Sequence, residues 1–445
     1  MVRMKWLAPV VLLSVPPTCA SAEEWPQWRG PRNDGIVQGE KIADAWPKEG
    51  PPRLWEAQAG VGFSSPVAVD GKVYLFALEG GKDTTYAFDA EKGTSIWKEQ
   101  ADSLYQGEMP DAALSPDWTG TRASPVIVGD RIYTYGFRGD LVCRELATGK
   151  VVWHTNVVIE TDTKPVTWGQ GSNPLIDGDF IYVQGGINGP TAVCLDKKTG
   201  KVVWTSENLP PNTSMNDPDT YGKGEMDKGG YARPILVDVK GTKQLIVFGG
   251  EALWAFDPKD GKTLWSVPWP TEYDVNAATP IYHEGKLFIT SAYGKPPSRC
   301  AQFELSPSGA KEVWKNNQLT AKYQPPIFEN GYLYGNSEGN VRCLNWQDGK
   351  TLWTAKDRIN QGGSLVRIAP DKLLMFSDIG KATLARATPK GYEKLGEFQA
   401  VERTGNAWST PLVYRGKMYV KGRNDVVCYD ISGRGATAAG EAAAR

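Results

Sequence analysis

The chain's 445 residues exceed a typical single domain, yet a closed repeat architecture absorbs such a length as one unit. Its 50 Lys+Arg against 51 Asp+Glu, net charge −1, leave no basic excess for nucleic acid and no acidic tail. The 40% hydrophobic and 23% charged residues are ordinary for a globular protein, whereas 17 Trp and 49 Gly are what a Trp-closed, Gly-turned repeat produces.

The first residues read as a targeting segment. Arg3 and Lys5 form a basic start, Trp6 to Val15 an apolar stretch, and Ala20-Ser21-Ala22 a small-x-small cleavage signal. The run is too short to span a bilayer as a helix. The expectation is a signal peptide over 1–22 and export to the periplasm or beyond the cell, with no transmembrane segment in the mature chain. Lipid anchoring at Cys19 is the weaker alternative, because Pro16-Pro17-Thr18 fits a lipobox poorly.

Residues 23–50, opening Trp25-Pro26-Gln27-Trp28-Arg29-Gly30-Pro31, are Pro/Gly-rich and aromatic and predict an irregular strap lying on the domain. From 51 onward one frame recurs, Ala-x-Asp-x-x-x-Gly-x-x-x-Trp. It is clearest at Ala255, Asp257, Gly261 and Trp265, and returns at Ala87–Trp97, Cys143–Trp153, Cys194–Trp204 and Cys343–Trp353. The Asx residue favours a turn, Gly supplies positive φ, and the returning strand ends on a ring that buries well. A second hairpin precedes each copy, as in Ser65-Pro66-Val67-Ala68-Val69-Asp70-Gly71. Two hairpins make a four-stranded blade.

Blade starts fall at Ser65, Ser124, Asn173, Arg233, Thr279, Pro325, Ser364 and Thr410. The outer-strand Trp of the first six is Trp97, Trp153, Trp204, Trp265, Trp314 and Trp353, with Leu395 in the seventh. The eighth blade runs out at Asp430 without a Trp, and Trp55 fills the vacancy. The prediction is therefore all-β: an eight-bladed β-propeller of four-stranded antiparallel blades over 51–433, its last blade closed by the N-terminal strand. Seven blades is the alternative, since the blade at 363–400 is degenerate. The Ala/Gly-rich tail 434–445 predicts disorder.

Cys143, Cys194, Cys343 and Cys428 hold the frame position of Ala87 and Ala255. Equivalent positions in different blades lie beyond disulfide reach, so they read as small core residues. Cys300 falls outside the frame.

The frame resembles the tryptophan-docking repeat of pyrroloquinoline-quinone (PQQ) type propellers, across most of residues 51–433. The resemblance implies the fold and leaves two branches open. One holds quinoprotein alcohol and sugar dehydrogenases, with PQQ and calcium on the axis. The other holds cofactor-free propellers such as BamB, a lipoprotein scaffold in outer-membrane protein assembly. The opening Trp25–Pro31 also resembles the start of many exported PQQ-repeat proteins of bacteria.

The dehydrogenase branch typically carries adjacent cysteines and a Glu/Asn calcium site. No two Cys are adjacent here, and Asp274 and Asn276 read as turn residues. The only histidines, His154 and His283, offer few parts for a triad or a metal site and read as surface residues. No catalytic residue, cofactor or metal is predicted, with PQQ and calcium reserved for the dehydrogenase alternative.

Binding is better supported. Loops at roughly 98–121, 154–171 and 205–231 exceed the usual connection and open on one face around the channel. They carry Trp118, Arg122, Trp168, Gln170, Asn173, Tyr221, Tyr231 and Arg233, and later blades add Asn276, Tyr323, Gln324, Asn406 and Trp408. Such a mixture suits a ligand, glycan or peptide mouth; the competing reading is that these groups plug the channel. The expected role is a monomeric, non-catalytic binding or scaffold propeller engaging an envelope protein or polysaccharide.

Overall fold

In the computed structural model, residues 23–207, 229–294, 299–402 and 405–433 are described. The predicted signal peptide 1–22, the tail 434–445 and Tyr221 lie outside the described residues. Blade 1 is an antiparallel sheet of Val67–Val69, Lys72–Glu79, Lys82–Asp89 and Ser95–Ala101, counted from the axis outward. Blades 2 to 8 follow at 126–156, 175–205, 235–268, 281–316, 327–358, 364–399 and 412–430. The wheel has eight blades. The middle strands are buried on both faces because a neighbouring blade covers each side, whereas Ser95–Ala101 buries only Trp97 and otherwise meets solvent.

The closing strand is Arg53–Gln58, which pairs antiparallel with Asp425–Asp430 and sets Trp55 opposite Cys428. This supplies the outer strand that blade 8 lacks and removes a free edge.

The blade contacts follow from the repeated frame. The Trp55 indole lies on Gly93 of blade 1 and donates to Ala90 O at 3.1 Å. Trp97 does the same with Gly149 and Leu146 O, Trp153 with Gly200 and Lys197 O, and Trp204 with Gly261 and Pro258 O. Trp314 repeats it with Gly349 and Trp346 O. A Cβ on Gly93 would sit 2.4 Å from the Trp55 ring, and its φ is 68°; glycine meets both demands. Opposite Trp97, Trp153, Trp204, Trp265, Trp353 and Trp55 stand the small residues Ala87, Cys143, Cys194, Ala255, Cys343 and Cys428, whereas Trp314 faces Gln302. Cys143, Cys194, Cys300, Cys343 and Cys428 are all buried free thiols.

Three interfaces depart from the frame; at one of them Trp353 donates to Thr388 O of blade 7 at 2.7 Å and lies on no turn glycine among the described residues. Blade 5 has a tight Ser306–Gly309 turn, so Trp265 donates instead to Gln244 Oε1, while Gln244 Nε2 holds Ser306 O at 2.9 Å. Blade 7 carries Leu395, and the strap's Trp46 fills the shortfall. Its backbone N donates to Leu395 O, its Cβ packs over Gly396, and its ring meets Phe398 edge-on at 5.4 Å.

The strap does not simply lie on the propeller. Trp25 bridges Ala68 of blade 1, Pro26 O accepts from Ile127 of blade 2, and Gln27 meets Arg233 of blade 4. Trp28 Nε1 donates to Thr410 Oγ1 of blade 8, and Arg29 to Pro325 O and Pro326 O of blade 6. Ile36–Val37 then pairs parallel with Ser364–Ile368 as a fifth strand of blade 7. Contacts to the innermost strands, or to the residues just before them, in six blades mean that the segment occupies the hub. The physical reason lies in the hub itself: inner strands expose backbone polar groups there, which a non-repeating, Arg-bearing loop satisfies.

Candidate binding site

Above the strap, on the long-loop face, lies a cavity of about 500 Å³. Of the residues singled out from the sequence, Arg122, Trp168, Asn173, Tyr231, Arg233, Tyr323, Gln324, Trp408 and Trp118 line it. The structure adds Trp28 from the strap, together with Phe63, Tyr273, Tyr293, Lys322 and small groups including Ser65, Ser124 and Thr279.

Three predicted residues stand elsewhere. Gln170 is fully buried and donates to Gly185 O at 3.2 Å. Asn276 is fully buried too, its Nδ2 holding Gly249 O and Gly250 O at 2.9 and 3.1 Å. Both tie loop backbone together, as short amides do where a loop turns inward. Asn406 is partly buried and is not among the lining residues. Asp274, with φ 53°, is a turn residue.

The wall is a chain of rings. Trp408 packs on Phe63 at 4.6 Å, Tyr323 at 4.7 Å and Trp118 at 5.2 Å. The Tyr323 and Tyr293 hydroxyls lie 3.5 Å apart, and Tyr273 meets Tyr293 and Trp168 edge-on at 6.3 and 5.7 Å. Trp168 continues to Tyr231 at 6.2 Å. Offset and edge-to-face arrangements of this kind are favourable and stiff.

Three cations interrupt the rings. Arg122 lies 5.9 Å over Phe63 and donates to Gly120 O and Trp118 O at 3.0 and 2.5 Å. Arg233, only 6% exposed, donates from Nη2 to Gln27 Oε1 at 3.0 Å. Lys322 stands 5.2 Å over Tyr323 and 5.6 Å over Tyr293. Burial lowers both arginines to about 10 and lowers Lys322, while desolvation raises Tyr293 and Tyr323. The arginines therefore stay charged at neutral pH and the phenols stay neutral. Among the described residues no Asp or Glu lines the cavity.

The two histidines differ in setting. His283 is 42% exposed, as its turn position predicts. His154 is only 18% exposed and bonds Asp140 Oδ1 at 2.9 Å, because the buried Asp140 carboxylate also gathers Ser103 Oγ and Leu104 N.

A closed eight-bladed wheel whose indoles dock on the next blade's turn glycine, with a ligand-sized cavity over its hub, defines a propeller of the PQQ-like repeat class. The chain belongs to the family described as outer membrane protein assembly factor BamB, which matches residues 106–355. It is 24% identical over 347 residues to the BamB of Burkholderia pseudomallei, covering 72% of this chain and 82% of that protein. It is 23% identical over 308 residues to the quinoprotein alcohol dehydrogenase PedH of Pseudomonas putida, covering 64% of this chain and 46% of that protein. In fold it is similar to the crystal structure of BamB from Moraxella catarrhalis, with TM-score 0.57 and 15% identity over 85% of this chain and 99% of that one. A quinohemoprotein alcohol dehydrogenase of Comamonas testosteroni aligns with TM-score 0.60 and 14% identity, over 94% of this chain and 82% of that one.

These dehydrogenase relatives raise the question of PQQ and calcium. Calcium takes six to eight oxygen ligands, usually including carboxylates. The cavity lining offers two guanidiniums and an ammonium instead, with a tryptophan floor. Among the described residues no cluster of three or more His, Cys, Asp or Glu could hold a metal ion. The residues present do not fit a PQQ–calcium pair.

Proposed function

We propose that the chain is a non-catalytic binding or scaffold propeller of the cell envelope, exported as a monomer after loss of residues 1–22, that engages a protein or glycan partner through its long-loop face. The observation that carries this reading is the cavity, in which fixed aromatic rings and cations surround a concave mouth. Concave aromatic surfaces with a few placed polar groups are built to bind. The lining provides arginines that stay charged and phenols that stay neutral, beside a Lys322 that burial lowers. Membership of a family named for outer membrane protein assembly supports an envelope role.

The dehydrogenase relatives supply the second reading, a PQQ- and calcium-dependent alcohol or sugar oxidation, and one assay separates the two. The purified chain, titrated with PQQ and calcium and offered alcohols and sugars with an artificial dye acceptor, is expected to give neither stoichiometric uptake nor dye reduction. Observing both would overturn the non-catalytic reading. Replacing Trp168 and Trp408 with Ala is expected to abolish retention on the envelope partner or polysaccharide with the circular dichroism unchanged.

A further inference from the structure

We propose that the cavity receives an acidic sugar ring, a uronate-type residue at the end of a glycan, its face on the Trp408 ring cluster and its carboxylate met by Arg122 and Arg233. This deepens the binding role proposed above and rests on it.

The unusual feature is where charge has been left unanswered. A buried guanidinium is costly unless paired or fully hydrogen-bonded. Two other buried guanidiniums meet that condition, whereas Arg144, 2% exposed, has one carbonyl, Gly149 O at 2.9 Å, and, among the described residues, no carboxylate in contact. Arg367, 3% exposed, has the Glu329 carboxylate at 2.7 Å. Arg29, 4% exposed, donates to four carbonyl oxygens. At the cavity it is not met. The Arg233 guanidinium spends one donor on a neutral amide, Gln27 Oε1, out of the five N–H groups of a guanidinium. Arg122 has its two contacts to carbonyls and a ring beside it, with no carboxylate. Two guanidiniums lining one cavity with spare donors, and no acid among its described lining residues, complement a planar anion. A carboxylate suits them, since it accepts the bidentate fork of Arg.

The ring chemistry narrows the ligand further. Trp408 is held by Phe63, Trp118 and Tyr323 at 4.6–5.2 Å, so its position is fixed before any ligand arrives. A pyranose presents a flat C–H face to such a ring and its hydroxyls to polar groups at the margin. Asn173 accepts Ser124 N through Oδ1 and keeps its NH2 donors for such a hydroxyl. The volume, about 500 Å³, is that of a small-ligand site. Tyr273 at 44% exposure marks a rim open to solvent, through which a longer chain leaves.

The test uses the purified full-length chain and three probes in calorimetry or Trp fluorescence: a trigalacturonate, its methyl ester, and a triglutamate peptide. The trigalacturonate is expected to bind at least about tenfold tighter than the ester, since charge-assisted hydrogen bonds are lost on esterification. Its binding should weaken as salt rises from 50 to 500 mM, as expected of a charge-led contact. Arg122→Met and Arg233→Met should each weaken the acid by at least about tenfold and leave the ester unchanged. Should either variant misfold, the wild-type acid-to-ester ratio and salt dependence decide alone. Equal binding of ester and acid, tighter binding of the peptide, or no binding of either sugar would overturn the assignment. Those outcomes leave the general binding role standing, whereas PQQ- and calcium-dependent turnover would remove that role itself.

Discussion

The docking of Trp55 on Gly93 is both the ring closure and the simplest place to test what holds the blades together. Trp55 is 9% exposed, and its ring covers a glycine where a Cβ would intrude to 2.4 Å. Trp55→Ala removes a large buried ring and its bond to Ala90 O, a loss of about 3–5 kcal/mol. Gly93→Ala acts on the same contact from the other side. It adds about 1–2 kcal/mol of left-handed backbone strain and pushes the indole off its seat, so most of the Trp55 contribution is lost as well. In the double variant only the strain is new. The two changes should therefore fall short of additivity by about 2 kcal/mol or more in a urea double-mutant cycle. Trp55→Ala with Gly261→Ala, which lies under Trp204 at another interface, serves as the independent pair and should add. If Trp55 and Gly93 add within about 0.5 kcal/mol, indole-on-glycine docking is not what couples adjacent blades.

Two other outcomes test the hub and the blades. Arg29→Met leaves Pro325 O, Pro326 O and Asp34 O without their donor; a loss of about 2–4 kcal/mol and faster proteolysis of the strap are expected, and an unchanged urea midpoint would show that the strap is not anchored there. Burial, reinforced by the Asp140 carboxylate, pushes Asp83 up to about 8. Between the ordinary carboxylate range and pH 8 the folded chain then holds a proton that the unfolded chain has released. Its contribution is complete below about pH 4 and is lost as pH rises to about 8. Asp83→Asn should flatten that decline, by up to about 1.4 kcal/mol per pH unit, in urea midpoints taken from pH 5 to 8.5; an unchanged slope would mean the Asp83 proton is not linked to folding.

What could be read from the chain was what is local and repeated. The Asx-to-Gly turn, the small residue opposite Trp and the missing eighth Trp all lie within a few residues of one another, so a fixed spacing carries them. The assignment of Trp55 to the last blade followed by counting. The position of Arg122, Trp168, Tyr231 and Arg233 at one mouth was likewise legible, because each precedes an innermost strand and the propeller brings those points together. Gln170 and Asn276 occupy the same kind of position but turn inward to bond loop carbonyls, and no spacing distinguishes an amide that faces a cavity from one that faces its own backbone.

Tertiary structure alone decided the rest. Trp28 meets Thr410, Arg29 meets Pro325, and Trp46 covers the gap at Leu395 and Gly396. These partners are hundreds of residues apart in the chain, and the strap has no period to announce them. Which arginines keep a carboxylate and which face an open cavity is decided in the same way. Charge balance over 445 residues says nothing about it, because the cost of burying a cation depends on the few atoms that surround it after folding.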